Sequence, residues 1–331
     1  MLHRPSPSVK QPRRGLAGLC CGPWARTAPT RREEPVKFCC QLSWVNPDYF
    51  LEIARTAEEH GWDTIALSDH VVNPDRIEAR YPYNESGERM WDHESPWPDV
   101  WVATGMMAAV TTRLRFFQSV YVLSMRDPFT VAKALGTCAR MSRQRVSLGV
   151  GLGWMKDEFE ILGHAFEQRG ARADEMIEVM RKLWTGKLVE HHGRFFDFPP
   201  LSMSPAVAGE IPIVVGGVSE PALRRVARLA DGWVPAYLSV DQVRDGLARI
   251  RALQQQVGRA GHPLSVYAAC PDAFDLDGFR RMEEAGVTHL MTTPWLRGHD
   301  AADYQRLTKG APLAEIRDGL RRFADEVIAK L

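Results

Sequence analysis

Between residue 36 and the C-terminus, short apolar runs alternate eight times with amphipathic helical stretches. The strand-like runs fall at 36–42, 62–67, 114–123, 146–151, 211–215, 231–234, 264–269 and 287–292. Strands separated by helices cannot be joined by tight hairpins. They run parallel, and a parallel sheet needs both faces covered. Eight such units in roughly 290 residues predict one α/β domain, a (β/α)8 TIM barrel with loop insertions. An open doubly wound sheet is the alternative. Its glycine-rich turn belongs after the first strand, whereas here the glycines follow the fourth and fifth.

The fourth unit is the most informative. In RVSLGVGLGWMKDEFEILGHAFEQRG, residues 145–170, an alternating strand ends in Gly149, Gly151 and Gly153 and gives way to an acidic helix start. Glycines at a strand's C-terminal end let backbone approach a ligand with no Cβ in the way. Such strand-to-helix loops are where α/β proteins bind ligands, phosphates especially. Gly216, Gly217 and Ser219, after the fifth strand, offer a second helix start suited to phosphate. Asp69 and His70 follow the second strand directly. They precede a long aromatic stretch, 74–98, with Tyr81, Tyr83, Trp91 and Trp97. A loop of that length in a compact domain is a lid or a binding loop when it is ordered, and its aromatic content favours packing. A hairpin is expected over 188–198, turning at His192-Gly193.

Charge narrows the partners. Residues 1–35 hold seven Lys/Arg and two Asp/Glu, although the whole chain is only +1. The remainder is mildly acidic, which argues against nucleic acid. No apolar run approaches the roughly 20 residues that span a bilayer. The six cysteines form no C-x-x-C pair, so they are read as reduced thiols in a cytoplasmic protein. No H-x-H or H-x-x-x-H spacing occurs, and His191-His192 point to opposite faces of a strand, so no metal is expected. Residues 1–35, rich in Arg and Pro, form a separate tail, disordered or not translated at all. Residues 36–331 form the barrel domain.

Several motifs, in order, carry a family resemblance: GWDTIALSDH, TTRLRF before SVYVL, DPFTVAKALGTCARMSRQR, LGVGLGWMKDEFEILG, HHGRFFDF, IPIVVGG and ARLADGW. Together they resemble the luciferase-like monooxygenase superfamily, and within it the branch that uses the deazaflavin coenzyme F-420. The resemblance implies an oxidoreductase that moves a hydride between F-420 and a small organic substrate, often as a homodimer. The alternatives are an FMN-dependent monooxygenase using O2 and a partner reductase, and a non-catalytic cofactor-binding member.

It also implies roles for residues. His70 would manage the substrate's oxygen or proton, and an imidazole titrates near neutrality. Asp69 would touch the cofactor. Ser119-Val120 match a strand bulge with a cis non-prolyl peptide on which the ring rests. Gly151, Gly153 and Asp157 match a loop near the cofactor tail. Gly216, Gly217 and Ser219 would take its phosphate. Trp154 stands where related sugar-phosphate dehydrogenases place a catalytic Glu, so it would wall a different substrate pocket. One departure is visible. The family pattern LDxLSGGR reads CARMSRQR at 138–145, without its Asp and its Gly pair.

Overall fold

The computed structural model describes residues 35–296 and 308–331. Pro35–Leu331 is one compact unit. The expectation for a separate tail falls on residues outside those described, apart from Pro35.

The chain enters at β1 (Lys37–Gln41), whose centre is fully buried. Asn46 then caps a 3-10 turn through its side chain, with Pro47 at the first position, where the missing N–H costs nothing. The turn runs into α1 (Phe50–Glu59), which buries Phe50, Ile53, Ala54 and Ala57 on one face. Gly61, at φ +80°, ends it. β2 (Thr64–Leu67) follows, then the long loop, then α2 (Val100–Ala109), capped by Asp99. The third stave is expected as one strand over 114–123. It is two pieces, β3 (Arg115–Gln118) and β4 (Tyr121–Val122), separated by a cis peptide at Ser119–Val120. Asp127 caps α3 (Pro128–Met141), and β5 (Val146–Gly151) and α4 (Lys156–Ile161) come next.

The second half continues with α5 (Arg169–Trp184), the hairpin β6 (Val189–His192) and β7 (Asp197–Leu201), then β8 (Ile213–Gly216) and α6 (Glu220–Leu229). It ends with β9 (Gly232–Val234), α7 (Val240–Gln256), β10 (Ser265–Ala268), α8 (Leu276–Glu284), β11 (His289–Thr292) and α9 (Leu313–Glu326).

All pairings outside the hairpin are parallel. β1 lies between β2 and β11, and β5 pairs with β3 and β4 on one side and β8 on the other. The sheet therefore closes on itself as eight staves, a (β/α)8 barrel, and the doubly wound alternative falls.

Cys39, Ala66, Phe117, Val214, Val234, Tyr267 and Met291 fill the lumen. Phe117 stacks on Tyr267 at 4.3 Å, and Tyr267 on His289 at 4.0 Å. β5 contributes almost no bulk. Its buried bulky residues, Val146, Leu148 and Val150, belong to the outer core beneath the helices, which leaves Ser147, Gly149 and Gly151 on the inner face. Neighbours move into that space. A Cβ on Gly149 would lie 1.6 Å from the Gln118 carbonyl, and one on Gly151 would lie 2.2 Å from Val120 Cγ2. The bulge at 119–120 is thus accommodated by glycines on the next stave. Cys39, Cys40, Cys138 and Cys270 are buried and unbonded. No described helix is long and apolar enough to cross a membrane.

Candidate active site at the barrel mouth

The C-terminal ends of the staves carry the side chains of interest. Asp69, one residue past the second stave's loop start, is buried. Its carboxylate takes both Arg126 Nη atoms, at 2.7 and 2.8 Å, and the Val122 N–H at 2.9 Å. Burial pushes its carboxyl above the ordinary aspartate range, against the pull of Arg126 and of that N–H. The Arg126 guanidinium also lies over the Tyr121 ring, 4.2 Å from its centroid. Asp69 is committed to protein partners here, and it ties the end of β2 to the strand beyond the bulge.

His70 stands beside that tie. Its Nδ1 is 2.7 Å from Glu158 Oε2, and its side chain is 9% exposed against 2% for Glu158. The second oxygen of Glu158 accepts from Val71 N at 2.6 Å and Val72 N at 3.2 Å. The His70 ring is packed by Trp97, Trp91 and Trp154, at centroid distances of 4.6, 5.5 and 6.3 Å. Trp44, from the β1 loop, closes on Trp91 and Trp97. The indole Nε1 atoms of Trp44 and Trp97 are buried without a partner among the described residues. Trp154 is half-buried and also meets Tyr81 at 5.2 Å. It belongs to this aromatic wall.

Asp157 does not point its carboxylate to the mouth's interior. It accepts from Glu78 N at 2.7 Å and Ala79 N at 3.2 Å, so it pins the long loop. Burial works against its charge, but those N–H groups outweigh it and hold the carboxyl below the usual aspartate range. The loop then runs across the opening. Tyr83 meets Tyr237, which follows β9, with centroids 5.7 Å apart. Counted around the barrel, β2 and β9 are staves two and six of eight, so this contact crosses the mouth.

Ser119 and Val120 are half-buried at the top of the lumen. Val120 sits against Gly151 and against Gly216, where a Cβ would be 3.0 Å from Val120 Cγ1. Gly153, at φ +78°, leaves room for Val122 and Phe159, each 2.7 Å from where its Cβ would be. The glycines therefore serve packing around the bulge as well as backbone access. The phosphate cradle expected at 216–219 is narrower than the sequence suggests. Gly217 donates its N–H to Val234 O, and its carbonyl accepts from Trp233 Nε1. Ser219 is exposed at the N-cap of α6 and makes no side-chain cap bond. Glu220 beside it is ion-paired with Arg224 and Arg249.

Glu158, Arg126, Trp44 and the Trp91–Trp97 pair were not singled out as site residues by sequence reasoning. The partners of Glu158, Arg126 and Trp44 are far along the chain, and only the acidic start of α4 hinted at Glu158.

The model of the luciferase-like monooxygenase family matches residues 24–321. The chain belongs to this family. A relative, an uncharacterized protein of Mycobacterium tuberculosis (strain ATCC 25618 / H37Rv), is 36% identical over 286 residues, 86% of this chain and 96% of that one. The F420-dependent glucose-6-phosphate dehydrogenase of Nakamurella multipartita is 27% identical over 292 residues, 85% and 81% of the two chains. Among solved structures, an F420-dependent secondary alcohol dehydrogenase in complex with an F420-acetone adduct superposes with a TM-score of 0.68 at 16% identity, covering 89% of this chain and 99% of its own. The oxygenating constituent of 3,6-diketocamphane monooxygenase from Pseudomonas putida, in complex with FMN, gives 0.64 at 15%, covering 89% and 99%. These two likenesses concern the barrel fold alone.

Proposed function

We propose that this luciferase-like protein is an F-420-dependent oxidoreductase that passes a hydride between the deazaflavin and a small organic substrate. The observation that carries the reading is the tie from Asp69 to Val122 and Arg126. It anchors the residue before His70 to the strand just past the Ser119–Val120 bulge, at the open end of the barrel. The F420-dependent dehydrogenases among its relatives support the choice of cofactor.

The residues present fit such a group. The bulge offers a half-buried apolar seat for a flat ring at the top of the lumen. Ser219 and the start of α6 would meet the phosphate, with Gly151 and Gly153 along the way. When bound, the deazaflavin supplies two-electron hydride chemistry. The chain's own part is positional. Asp69 braces the seat through Arg126. Val120 would support the ring. The tryptophans exclude water from the reacting carbon, and His70 handles the substrate's oxygen or proton. Buried indole N–H groups on Trp44 and Trp97 suit a ligand that brings a hydrogen-bond acceptor.

Titration with F-420 and with FMN, followed by absorbance and fluorescence, tests the reading. Binding of F-420 supports it. Binding of FMN alone, with O2 uptake in the presence of a reductase, selects the monooxygenase that the FMN-bound structural relative represents. Binding of neither refutes both.

A homodimer is the expected assembly, and α2 supports it. The helix is apolar on all sides, yet Val102 and Met106 are 64% and 54% exposed on its outer face. Light scattering at micromolar concentration checks it, and a monomer there would refute it.

A further inference from the structure

We propose that Glu158 is a positioning residue that sets the tautomer of His70 and so designates Nε2 as the nitrogen that exchanges the substrate's proton. An ionised carboxylate accepts and cannot donate. Glu158 Oε1 already holds two backbone N–H groups, from Val71 and Val72, and Oε2 lies 2.7 Å from His70 Nδ1. The proton in that contact therefore belongs to Nδ1. A neutral imidazole has one N–H, so Nε2 carries the lone pair. Nε2 has no hydrogen-bond partner among the described residues, while the ring packs against Trp91 at a tilt and against Trp97 and Trp154 near-perpendicularly. Glu158 is itself 1% exposed, with its backbone in α4. The geometry of the pair is thus set by a helix and not by a free side chain.

The chemistry rests on the F-420 reading above. When an alcohol is oxidised, its C–H bond breaks and the hydride goes to the oxidised deazaflavin. Its O–H bond breaks and the proton goes to Nε2, and the carbonyl forms. The resulting imidazolium lies against the Glu158 carboxylate. Carbonyl reduction runs through the same positions in reverse, with Nε2–H as the donor. Glu158 touches neither the substrate nor the ring in this scheme.

The competing role is structural, since Glu158 also pins the start of the long loop. Glu158→Gln separates the two. Its amide oxygen still accepts from Val71 and Val72, but its NH2 now donates to Nδ1. The ring proton is forced to Nε2, where it blocks proton acceptance. The full chain, labelled with 15N-histidine and free of cofactor, is read by long-range proton–nitrogen correlation NMR. The His70 signals are assigned by their loss in His70→Asn. The expected result is protonated Nδ1 and bare Nε2 in the wild type, reversed in Glu158→Gln. Alongside, F-420 reduction is followed with 2-propanol as the hydride donor. Glu158→Gln should lower kcat by about 10²–10⁴-fold, with KM and F-420 affinity within about twofold. A bare Nδ1 in the wild type, an unchanged tautomer in the variant, or unchanged kcat overturns the proposal. If F-420 does not bind at all, the cofactor reading fails, and the NMR result alone decides the tautomer.

Discussion

Replacing Gly151 with Ala tests whether the bulge is seated as described. The added Cβ would lie 2.2 Å from Val120 Cγ2 and 3.1 Å from Val120 Cβ. Carbon atoms in contact sit about 3.5–4.0 Å apart, so Val120 must move by more than 1 Å (roughly the shortfall) or the strand must open. Overpacking of this kind costs about 1–3 kcal/mol. Val120→Ala, which removes two half-buried methyl groups, costs about 1 kcal/mol on its own. In the double variant the closest atom is gone and the remaining contact, at 3.1 Å, needs a shift of only a few tenths of an ångström. The two costs should therefore not add. Together they should fall short of the sum by about 1–2 kcal/mol. Urea unfolding of the four proteins measures the coupling. F-420 fluorescence titration measures its functional side, with affinity lost in Gly151→Ala and partly regained in the double variant. Strict additivity in the unfolding series would show that Val120 does not rest on Gly151, and the seat assigned to the ring would have no structural basis.

Three further expectations concern the frame around the site. Arg143 and Gln144 are left-handed, at φ +58° and +64°, and Gln144 Nε2 is buried without a partner. Gly at either position should therefore stabilise the fold, by about 0.5–1 kcal/mol each after the entropy cost of glycine, visible as a raised urea midpoint. Glu58 is held at a pKa of about 2: burial opposes its charge, but the N–H groups of Leu114, Arg113 and Thr112 and the Thr112 hydroxyl outweigh it. A depressed carboxylate stabilises the fold above its unfolded pKa and loses that contribution as pH falls through the folded one. Unfolding free energy should therefore drop between about pH 4.5 and 2 more steeply in the wild type than in Glu58→Gln. Equal slopes would refute it. Finally, Asp157→Ala frees the N–H groups of Glu78 and Ala79. Limited proteolysis should then cut within 74–98 faster, with the rest of the chain protected as before.

The barrel was legible because its information is local. Each stave and helix shows its own periodicity, and caps such as Asp99 and Asp127 sit within three residues of what they cap. The break in the third stave was legible only through the family resemblance, since TTRLRFFQSVYVL reads as an unbroken strand. The glycines at 149–153 were legible as close approaches, but not what approaches: the sequence suggested a ligand, and the structure shows Gln118, Val120 and Phe159. The departure at 143–144 was visible as missing glycines, and the backbone shows the cost, since both residues keep the left-handed conformation. Glu158 was illegible for a plain reason. Its helix neighbours say nothing about a partner 88 residues away, and Asp157 beside it looked equally able to serve.

Trp62 Nε1 donates to the carbonyl of Leu320 across 258 residues of chain, and Phe38 packs edge-on to Phe323 of the same final helix. β1, the first stave of the barrel, takes its second neighbour from β11, the last. Until then β1 is an edge strand with an open ladder, and the apolar surface of Phe38 and Trp62 is uncovered. Closure is a long-range event that follows loop closure over most of the chain, so the nascent barrel spends its synthesis with one sticky seam exposed. A chain stopped short of Leu320 should be captured by chaperones or aggregate through that seam, however well its mouth and bulge are formed.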